Sequence, residues 1–324
     1  MLNDDNQALL LLCSTVAVSE PSGDVRPLSA REWYELSRKI SSSRLGAAGA
    51  LLGLDASEIA AELEIPPADA ARIYRLLEYS ESMSPEVERL LSLGITPVTC
   101  VDDDYPSRLH ESLKQTAPPV LFAAGKLALL NRGGVAVVGS RSVDERGKSF
   151  AEEIGNKCAG LSVTVISGGA RGTDAIAMGA SLSAGGTSLG VLADSLERAV
   201  RAPNLRDALE DGKLALVTPY SPSAGFSIGA AMGRNKLIYG FADYAVVVSS
   251  DVEKGGTWAG ATEALKTVSC PVFVRMGDEV PAGNHALIKK GALPLAETDV
   301  KGIDDLLSWM KSRSGLAATQ PSLF

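Results

Sequence analysis

The chain has 324 residues, a formal net charge of −8 and a hydrophobic content of 45%. A mean hydropathy of +0.11 is typical of a well-packed globular protein and excludes a largely disordered one. The acidic balance, with a pI of about 5.0, argues against a protein coated in nucleic acid, because such domains are usually basic. A local basic groove remains compatible with it. The length is sufficient for two domains.

The N-terminus and the cysteines indicate a cytoplasmic protein. Asp4 and Asp5 precede the first apolar run, which is unlike a signal peptide, and no apolar run approaches transmembrane length. We therefore expect no membrane contact. Because the chain has only two histidines and no cysteine pair suited to zinc, we also expect free thiols and no metal. The four cysteines lie apart without a CxxC pair: Cys13, Cys100, Cys158 and Cys270.

Residues 1–85 predict an N-terminal helical domain. Apolar residues over Ala8–Val18 and a Ser cap signal before Trp33 each indicate a helix. Asp55–Leu63 and Pro67–Leu77 then form two short helices joined by a turn, which resembles a helix-turn-helix or helix-hairpin-helix (SAM-like) unit. Few Lys or Arg accompany this pair, which favours a compact bundle without a nucleic-acid role over a DNA-reading unit.

Residues 86–311 alternate between strand and helix patterns. This alternation predicts an α/β fold with a doubly wound, mostly parallel Rossmann-like sheet. Residues 312–324 are predicted to form a flexible polar tail. The predicted strands are Ile95–Val101, Val120–Ala124, Val135–Gly139, Val163–Ile166, Ser188–Ala193, Leu214–Thr218, Tyr244–Ser249 and Pro271–Arg275.

The stretch Val135–Arg141, with the sequence VAVVGSR, is a continuous apolar run that ends in Gly-Ser-Arg. Such a run suits a strand buried on both faces, and Gly139 permits a tight turn after it. Asp144 is a candidate N-cap for a helix that runs to about Gly160. A strand, a Gly turn and a helix N-terminus together predict an anion site, with Arg141 at its rim.

Four glycine-bearing loops follow strands and should meet at one edge of the sheet, where ligands of open α/β sheets bind. They are Gly139–Arg141, Ser167–Asp174, Gly225–Lys236 and Lys254–Thr257. Glycines let backbone amides approach an anion, Arg and Lys supply charge, and hydroxyls can donate to phosphate oxygens. Neither GxGxxG nor GxxxxGK[ST] is present, which argues against ordinary dinucleotide or P-loop chemistry.

No catalytic set is predicted. His110 and His285 lie outside the four loops, and the run Asp102-Asp103-Asp104 fits a solvated turn better than a metal site. We therefore expect no cofactor and no enzymatic reaction. Glu263 lies roughly two helical turns after the fourth loop and is the candidate base if the protein is an enzyme, with a solvated carboxylate as the other interpretation.

From about Leu91 to about Arg275 the chain resembles the DNA-processing protein A (DprA/Smf) family. The resemblance is carried in order by "LGITPVTCVDDDYPSRL", "APPVLFAAGKLALL", "VAVVGSR", "ISGGARGTDAIAMGA", "AGGTSLGVLA" and "GRNKLIYGFADYAVVVSS". It implies a non-catalytic single-stranded DNA-binding protein that forms a homodimer and assists a RecA-type recombinase in DNA uptake, recombination or transformation. It also implies that Phe226 stacks on a base.

Together the loops and the resemblance define one candidate set for DNA and phosphate binding. Lys236 stands where the family usually has Arg, and Met178 where it commonly has His. The candidate set is Gly139, Ser140, Arg141, Ser167, Gly168, Gly169, Arg171, Gly172, Asp174, Phe226, Arg234, Asn235, Lys236, Gly255, Gly256 and Thr257.

The fourth loop leaves an alternative open. Lys254-Gly255-Gly256-Thr257 with Glu263 is similar to the Pro-Gly-Gly-x-Gly-Thr-x-x-Glu motif of the LOG phosphoribohydrolases, although the leading Pro is absent. This similarity supports a nucleotide- or nucleotide-sugar-binding enzyme or sensor as the alternative function.

Overall fold

The computed structural model describes residues 2–16, 26–267 and 270–318. Its strands are β1 Ile95–Thr99, β2 Val120–Gly125, β3 Val135–Gly139, β4 Thr164–Ser167, β5 Thr187–Val191, β6 Leu214–Thr218, β7 Tyr244–Ser249, β8 Val272–Met276 and β9 Leu293–Ala296. Its α-helices are α1 Asp4–Cys13, α2 Ala30–Ser42, α3 Ala56–Leu63, α4 Pro67–Leu77, α5 Ser80–Ser92, α6 Ser107–Leu113, α7 Glu145–Gly160, α8 Thr173–Ser183, α9 Leu196–Val200, α10 Pro203–Glu210, α11 Ile228–Phe241, α12 Gly255–Thr267, α13 Ala282–Lys289, α14 Glu297–Gly302 and α15 Leu306–Ala318.

All nine strands form one sheet in the order β1-β2-β6-β5-β4-β3-β7-β8-β9. Across the sheet, the seven neighbouring strands β6-β5-β4-β3-β7-β8-β9 are all parallel to one another. Strand β2 runs antiparallel to both of its neighbours, β1 and β6. The predicted doubly wound, mostly parallel α/β fold is confirmed. The chain proceeds from β3 outward to β6 and then returns to place β7 on the other side of β3. The direction of winding therefore reverses between β3 and β7, which is where open α/β sheets bind ligands.

The strands are apolar without interruption because both faces of the sheet are covered. Side chains alternate between two buried clusters: Val135 and Val137 pack into one, and Ala136 and Val138 into the other. This alternation explains why VAVV carries no polar residue, since neither face of β3 meets water.

The N-terminal helices pack against the sheet and share its core. Leu10 is fully buried in the same cluster as Val137. Buried Asn6 fixes the contact, because its Nδ2 donates to Thr99 Oγ1 and to Asp102 Oδ1, each at 2.8 Å. Asp102 thus anchors α1 to the end of β1, and this is the role the structure gives to the first residue of the Asp102–Asp104 turn.

Several predicted boundaries are corrected. The first helix ends at Cys13 instead of Val18, since Ser14 caps it, and residues 17 and 18 lie outside the described residues. The predicted domain boundary at 85/86 falls inside α5. The predicted tail from 312 was wrong in its start, because α15 continues to Ala318 while Leu306 and Met310 on it are buried. Residues 319–324 lie outside the described part.

All four cysteines are free, with Cys158 and Cys270 buried and the other two half-buried. Burial raises the pKa of the Cys158 thiol to about 12, and burial likewise raises the pKa of Cys270 to about 12. Within the described residues, every helix is too short or too polar to span a bilayer.

Because α1 and the sheet share one core, we expect them to unfold together. Leu10→Ala should lower the free energy of unfolding by about 2–5 kcal/mol, the usual cost of emptying a fully buried leucine site. In a Trp33→Phe background, fluorescence reports only Trp258 and Trp309, which lie in the sheet-containing part. We expect urea unfolding followed by this signal to shift with Leu10→Ala and not with the exposed control Leu91→Ala. If Leu10→Ala shifted the urea unfolding transition measured by circular dichroism but not the one measured by fluorescence, the shared core would be contradicted.

Candidate functional site

A cleft of about 770 Å³ lies at the reversal of winding between β3 and β7. All four predicted loop regions contribute to it. Its lining residues are Val138, Gly139, Ser140, Arg141, Ala170, Asp174, Phe226, Ile228, Ala231, Met232, Arg234, Asn235, Ile238, Tyr239, Ser249, Ser250, Asp251, Glu253, Lys254, Gly255, Gly256, Thr257, Trp258 and Ala259. The predicted convergence of these regions at one edge of the sheet is therefore confirmed.

The turn after β3 is clamped against the start of α8. A methyl group at Gly139 would overlap the Thr173 side chain, so only glycine allows this approach. The Ser140 carbonyl accepts hydrogen bonds from Thr173 Oγ1 at 3.1 Å and from the Thr173 amide at 3.3 Å. Gly172, with a φ of 80°, lies directly under the Ser140 and Arg141 carbonyls. These contacts hold the exposed Arg141 at the rim of the cleft.

Three hydrogen-bond donors of the loop after β4 already have partners within the protein. Ser167 Oγ donates to the Val137 carbonyl at 2.6 Å, so the expected hydroxyl contact to phosphate is corrected to a link between two strands. The amides of Gly168 and Ala170 donate to Asp174 Oδ2 at 3.1 and 3.4 Å. The Asp174 carboxylate thus occupies the position that an external anion would take at this loop.

Asp174 and Arg234 are buried side by side. A methyl group at Gly168 would overlap both the Asp174 carboxylate and the Arg234 guanidinium, so both groups lie close to the same side of this glycine. Arg234 Nη1 donates to the Val191 carbonyl at 2.7 Å, whereas its buried Nε has no hydrogen-bond partner among the described residues. Arg234 therefore forms an inner wall of the cleft instead of an exposed contact.

Burial controls the charge of this pair. Desolvation raises the pKa of the Asp174 carboxyl to about 6, although the Arg234 charge and the two loop amides act in the opposite direction. Desolvation also lowers the pKa of Arg234, against the stabilising charge of Asp174.

The N-terminus of α12 is the open anion site of the cleft. Residues Gly255–Thr257 were predicted as a loop, but they form the first turn of this helix. Among the described residues, no hydrogen-bond acceptor meets the amides of Gly256 and Thr257, and both residues line the cleft. Asn235 Nδ2 donates to the Gly256 carbonyl at 3.0 Å and so ties α11 to this turn. Free amides and the helix dipole favour a negative group here.

The rim next to this turn is aromatic and apolar. The Arg141 guanidinium carbon lies 5.1 Å from the centre of the Phe226 ring, within the range of a cation–π contact. Phe226 is 49% exposed, and Ile228 and Met232 on α11 are 74% and 49% exposed. Ile228 and Met232 were not predicted from the sequence. Their i, i+4 spacing just after Phe226 was the available signal, since it places them on one helix face.

Seven of the predicted residues lie outside the cleft lining: Ser167, Gly168, Gly169, Arg171, Gly172, Lys236 and Glu263. Lys236 points away from Arg234 because residues two positions apart on a helix are rotated by roughly 200° about its axis. The Lys236 Nζ donates to the Thr116 carbonyl at 3.0 Å. Glu263 is exposed on α12 and does not line the cleft. Arg171 is exposed on the loop beside Gly172 and does not line the cleft. The predicted grouping of Lys236 with Arg234 is corrected accordingly.

A buried network that the sequence did not reveal fixes the end of β7. Arg275 is 1% exposed, and its Nε donates to the Val248 carbonyl at 2.9 Å while its Nη atoms pair with Asp144 and Glu297. Asn284 accepts the Ser250 amide at 2.9 Å. These contacts hold the segment that leads into α12.

The residues that line the cleft carry equal numbers of positive and negative side chains. The cations are Arg141, Arg234 and Lys254, and the acids are Asp174, Asp251 and Glu253. Asp174 and Arg234 are buried, whereas the other four charges are exposed at the rim. Within the described ranges, no group of three or more His, Cys, Asp or Glu side chains is arranged to hold a metal ion.

A sequence profile of the family described as DNA recombination-mediator protein A matches residues 96–307. The chain belongs to this family. It is 28% identical over 221 residues to the DNA processing protein DprA of Bacillus subtilis, a match that covers 65% of this chain and 73% of that protein. The resemblance inferred from the loop motifs is confirmed.

Two solved structures of DNA processing protein A share the fold. The protein from Streptococcus pneumoniae superimposes with a TM-score of 0.59 at 23% identity, covering 85% of this chain and 98% of its own. The protein from Helicobacter pylori gives a TM-score of 0.54 at 20% identity, covering 68% and 97%.

The raised pKa of Asp174 in this DNA-processing family member predicts a specific pH dependence of stability. The folded carboxyl titrates with a pKa of about 6, against 3.8 for an ordinary aspartate, so the folded state binds the proton more tightly. Its contribution to stability is complete below about pH 4 and is lost as the pH rises through 6. Relative to Asp174→Asn, the wild type should therefore lose up to about 3 kcal/mol of unfolding free energy between pH 4 and 7. Urea unfolding at several pH values measures this difference, and a constant difference would contradict the assignment.

Proposed function

We propose that this chain is a single-stranded DNA-binding DNA-processing protein that acts without catalysis. The observation that carries the proposal is the Arg141–Phe226 contact at the rim, beside the open N-terminus of α12. A cation, an aromatic face and free amides in one cleft match the phosphates and bases of a single strand. The solved Helicobacter pylori relative is described by its single-stranded DNA binding mode, which supports the same ligand here.

The cleft divides into a phosphate side and a base side. On the phosphate side, the amides of Gly256 and Thr257 would receive one phosphate, while Arg141 and Lys254 at the rim neutralise neighbouring ones. The base side adjoins Arg141: exposed Phe226 and Met232 offer surfaces on which bases stack or pack. Such surfaces accept every base, so we expect little sequence preference.

The balanced charges of the cleft set the strength of binding. Asp251 and Glu253 lie on the same rim as Lys254 and oppose a long polyanion. We therefore expect few phosphates to be neutralised and a moderate dependence on salt concentration, compared with the steep dependence of strongly basic proteins.

The exposed position of Glu263 supports the absence of catalysis. A general base must reach the reacting atoms through a hydrogen bond or one water, and Glu263 is not among the residues that line the cleft. His110 and His285 also lie outside the lining. The homodimer, the RecA-type recombinase as partner and the cytoplasmic location stay predictions from the sequence.

Removing the rim cation should weaken binding of every sequence in a similar way. Arg141→Ala should raise the dissociation constant for oligo(dT) and lower the slope of log affinity against log salt by about 0.7, the value for one phosphate contact on a single strand. Arg206→Ala on α10 removes the same charge from an exposed position outside the cleft and is the matched control. Fluorescence anisotropy at several salt concentrations measures both slopes. Equal affinities and slopes for the two variants would overturn the proposed site.

Removing the aromatic face should weaken binding without changing its salt dependence. Phe226→Ala should cost about 1–3 kcal/mol of binding free energy, the usual value for one stacked base. Because no phosphate contact is lost, the salt slope should stay that of the wild type. Leu91→Ala removes another exposed apolar side chain away from the cleft and is the control. Unaltered affinity in Phe226→Ala would exclude stacking on this ring.

A further inference from the structure

We propose that Asp174 makes the cleft a proton-linked site, in which single-stranded DNA binds more tightly when this carboxyl is protonated and its binding draws a proton from solvent onto the carboxyl. The inference rests on the proposed function and adds a control of the same cleft by pH. It assigns to Asp174 a positioning role, since the carboxyl acts through Arg234 and the loop after β4.

The geometry gives Asp174 the position of an internal anion. Its Oδ2 accepts the amides of Gly168 and Ala170, at 3.1 and 3.4 Å, and the residue is 7% exposed at the inner wall of the cleft. A charged phosphate that enters the cleft approaches a carboxylate held in a medium of low dielectric, where repulsion is poorly screened. Protonation removes this repulsion.

When Asp174 loses its negative charge on protonation, the positive charge of Arg234 can attract a phosphate. It is 6% exposed, and its Nε lies buried without a hydrogen-bond partner among the described residues. When Asp174 is ionised, its charge compensates that of Arg234. When Asp174 is neutral, the guanidinium is left with an unbalanced positive charge in the cleft wall, and an incoming phosphate is the available counter-charge.

The other groups around the pair do not take over this role. Tyr239 on α11 faces Asp174, but burial raises its pKa far above neutrality. Tyr220 faces Arg234, and burial raises its pKa as well. Arg141 is the other charge that acts on Arg234. Since burial raises the pKa of Asp174 to about 6, Asp174 is the group facing this pair that changes charge near neutral pH.

The experiment measures binding of oligo(dT) at about pH 5.5, 6.5 and 7.5 and constant ionic strength, an interval that spans the Asp174 pKa. Thymine has no titrating group in this interval, so the DNA does not contribute. We expect the wild type to bind about 5- to 10-fold more tightly at the lowest pH than at the highest, because a shift of one unit in a linked pKa corresponds to a tenfold change in affinity. Asp174→Asn should bind with the same affinity at all three values.

A matched variant and a second readout keep the test specific. Asp251→Asn removes an exposed carboxylate from the same cleft and should keep the pH dependence of the wild type. Calorimetry of the wild type at about pH 6 in two buffers with different ionisation enthalpies should show net proton uptake on binding. If Asp174→Asn does not fold, Asp174→Ser retains an oxygen that can accept the loop amide and replaces it in the same comparison.

The outcomes separate the inference from the function on which it rests. Absence of binding by the wild type at every pH overturns the proposed function. Binding with a constant dissociation constant and no proton uptake leaves that function in place and overturns the proton linkage. Equal pH dependence in the wild type and in Asp174→Asn also overturns it.

Discussion

The buried carboxylate of Asp174 decides how this cleft can bind an anion. Two loop amides that would otherwise be unsatisfied donate to it, and the Arg234 guanidinium lies next to it beside Gly168. The most phosphate-like loop of the sequence is therefore closed by the protein's own negative group. The first turn of α12 stays open and lines the same cleft as the exposed rim cation Arg141.

The topology brings these elements together. Because winding reverses between β3 and β7, the connections after both strands diverge and leave a cleft. Gly139 lets the β3 turn pack directly on Thr173, and the buried Arg275 ties the end of β7 to Asp144 at the start of α7. The ends of β3 and β7 are thus each fixed by contacts to residues outside the cleft lining, Thr173 for β3 and Arg275 for β7.

Much of this arrangement could be predicted from the sequence, because it depends on local patterns. Uninterrupted apolar runs identified the strands of the parallel sheet, and glycines marked where the chain must turn. Which donors remain free depends on tertiary contacts: the Ser167 hydroxyl is used by Val137. Lys236 was grouped with Arg234 because the two are close in sequence, whereas on the helix Ile228–Phe241 their side chains point in different directions. The helix α15 was missed because its stability comes from burying residues such as Met310 and not from a local period.

The central claim is that a phosphate of single-stranded DNA binds at the N-terminus of α12 and not at the loop after β4. The most direct measurement is a titration of ¹⁵N-labelled protein with oligo(dT), followed by the backbone amide resonances. We expect large shifts for Gly256 and Thr257, whose amides are open within the described part of the chain. Gly168 and Ala170 should keep their hydrogen bonds to Asp174 and show smaller shifts. Large shifts at Gly168 and Ala170 with unchanged Gly256 and Thr257 would contradict the claim.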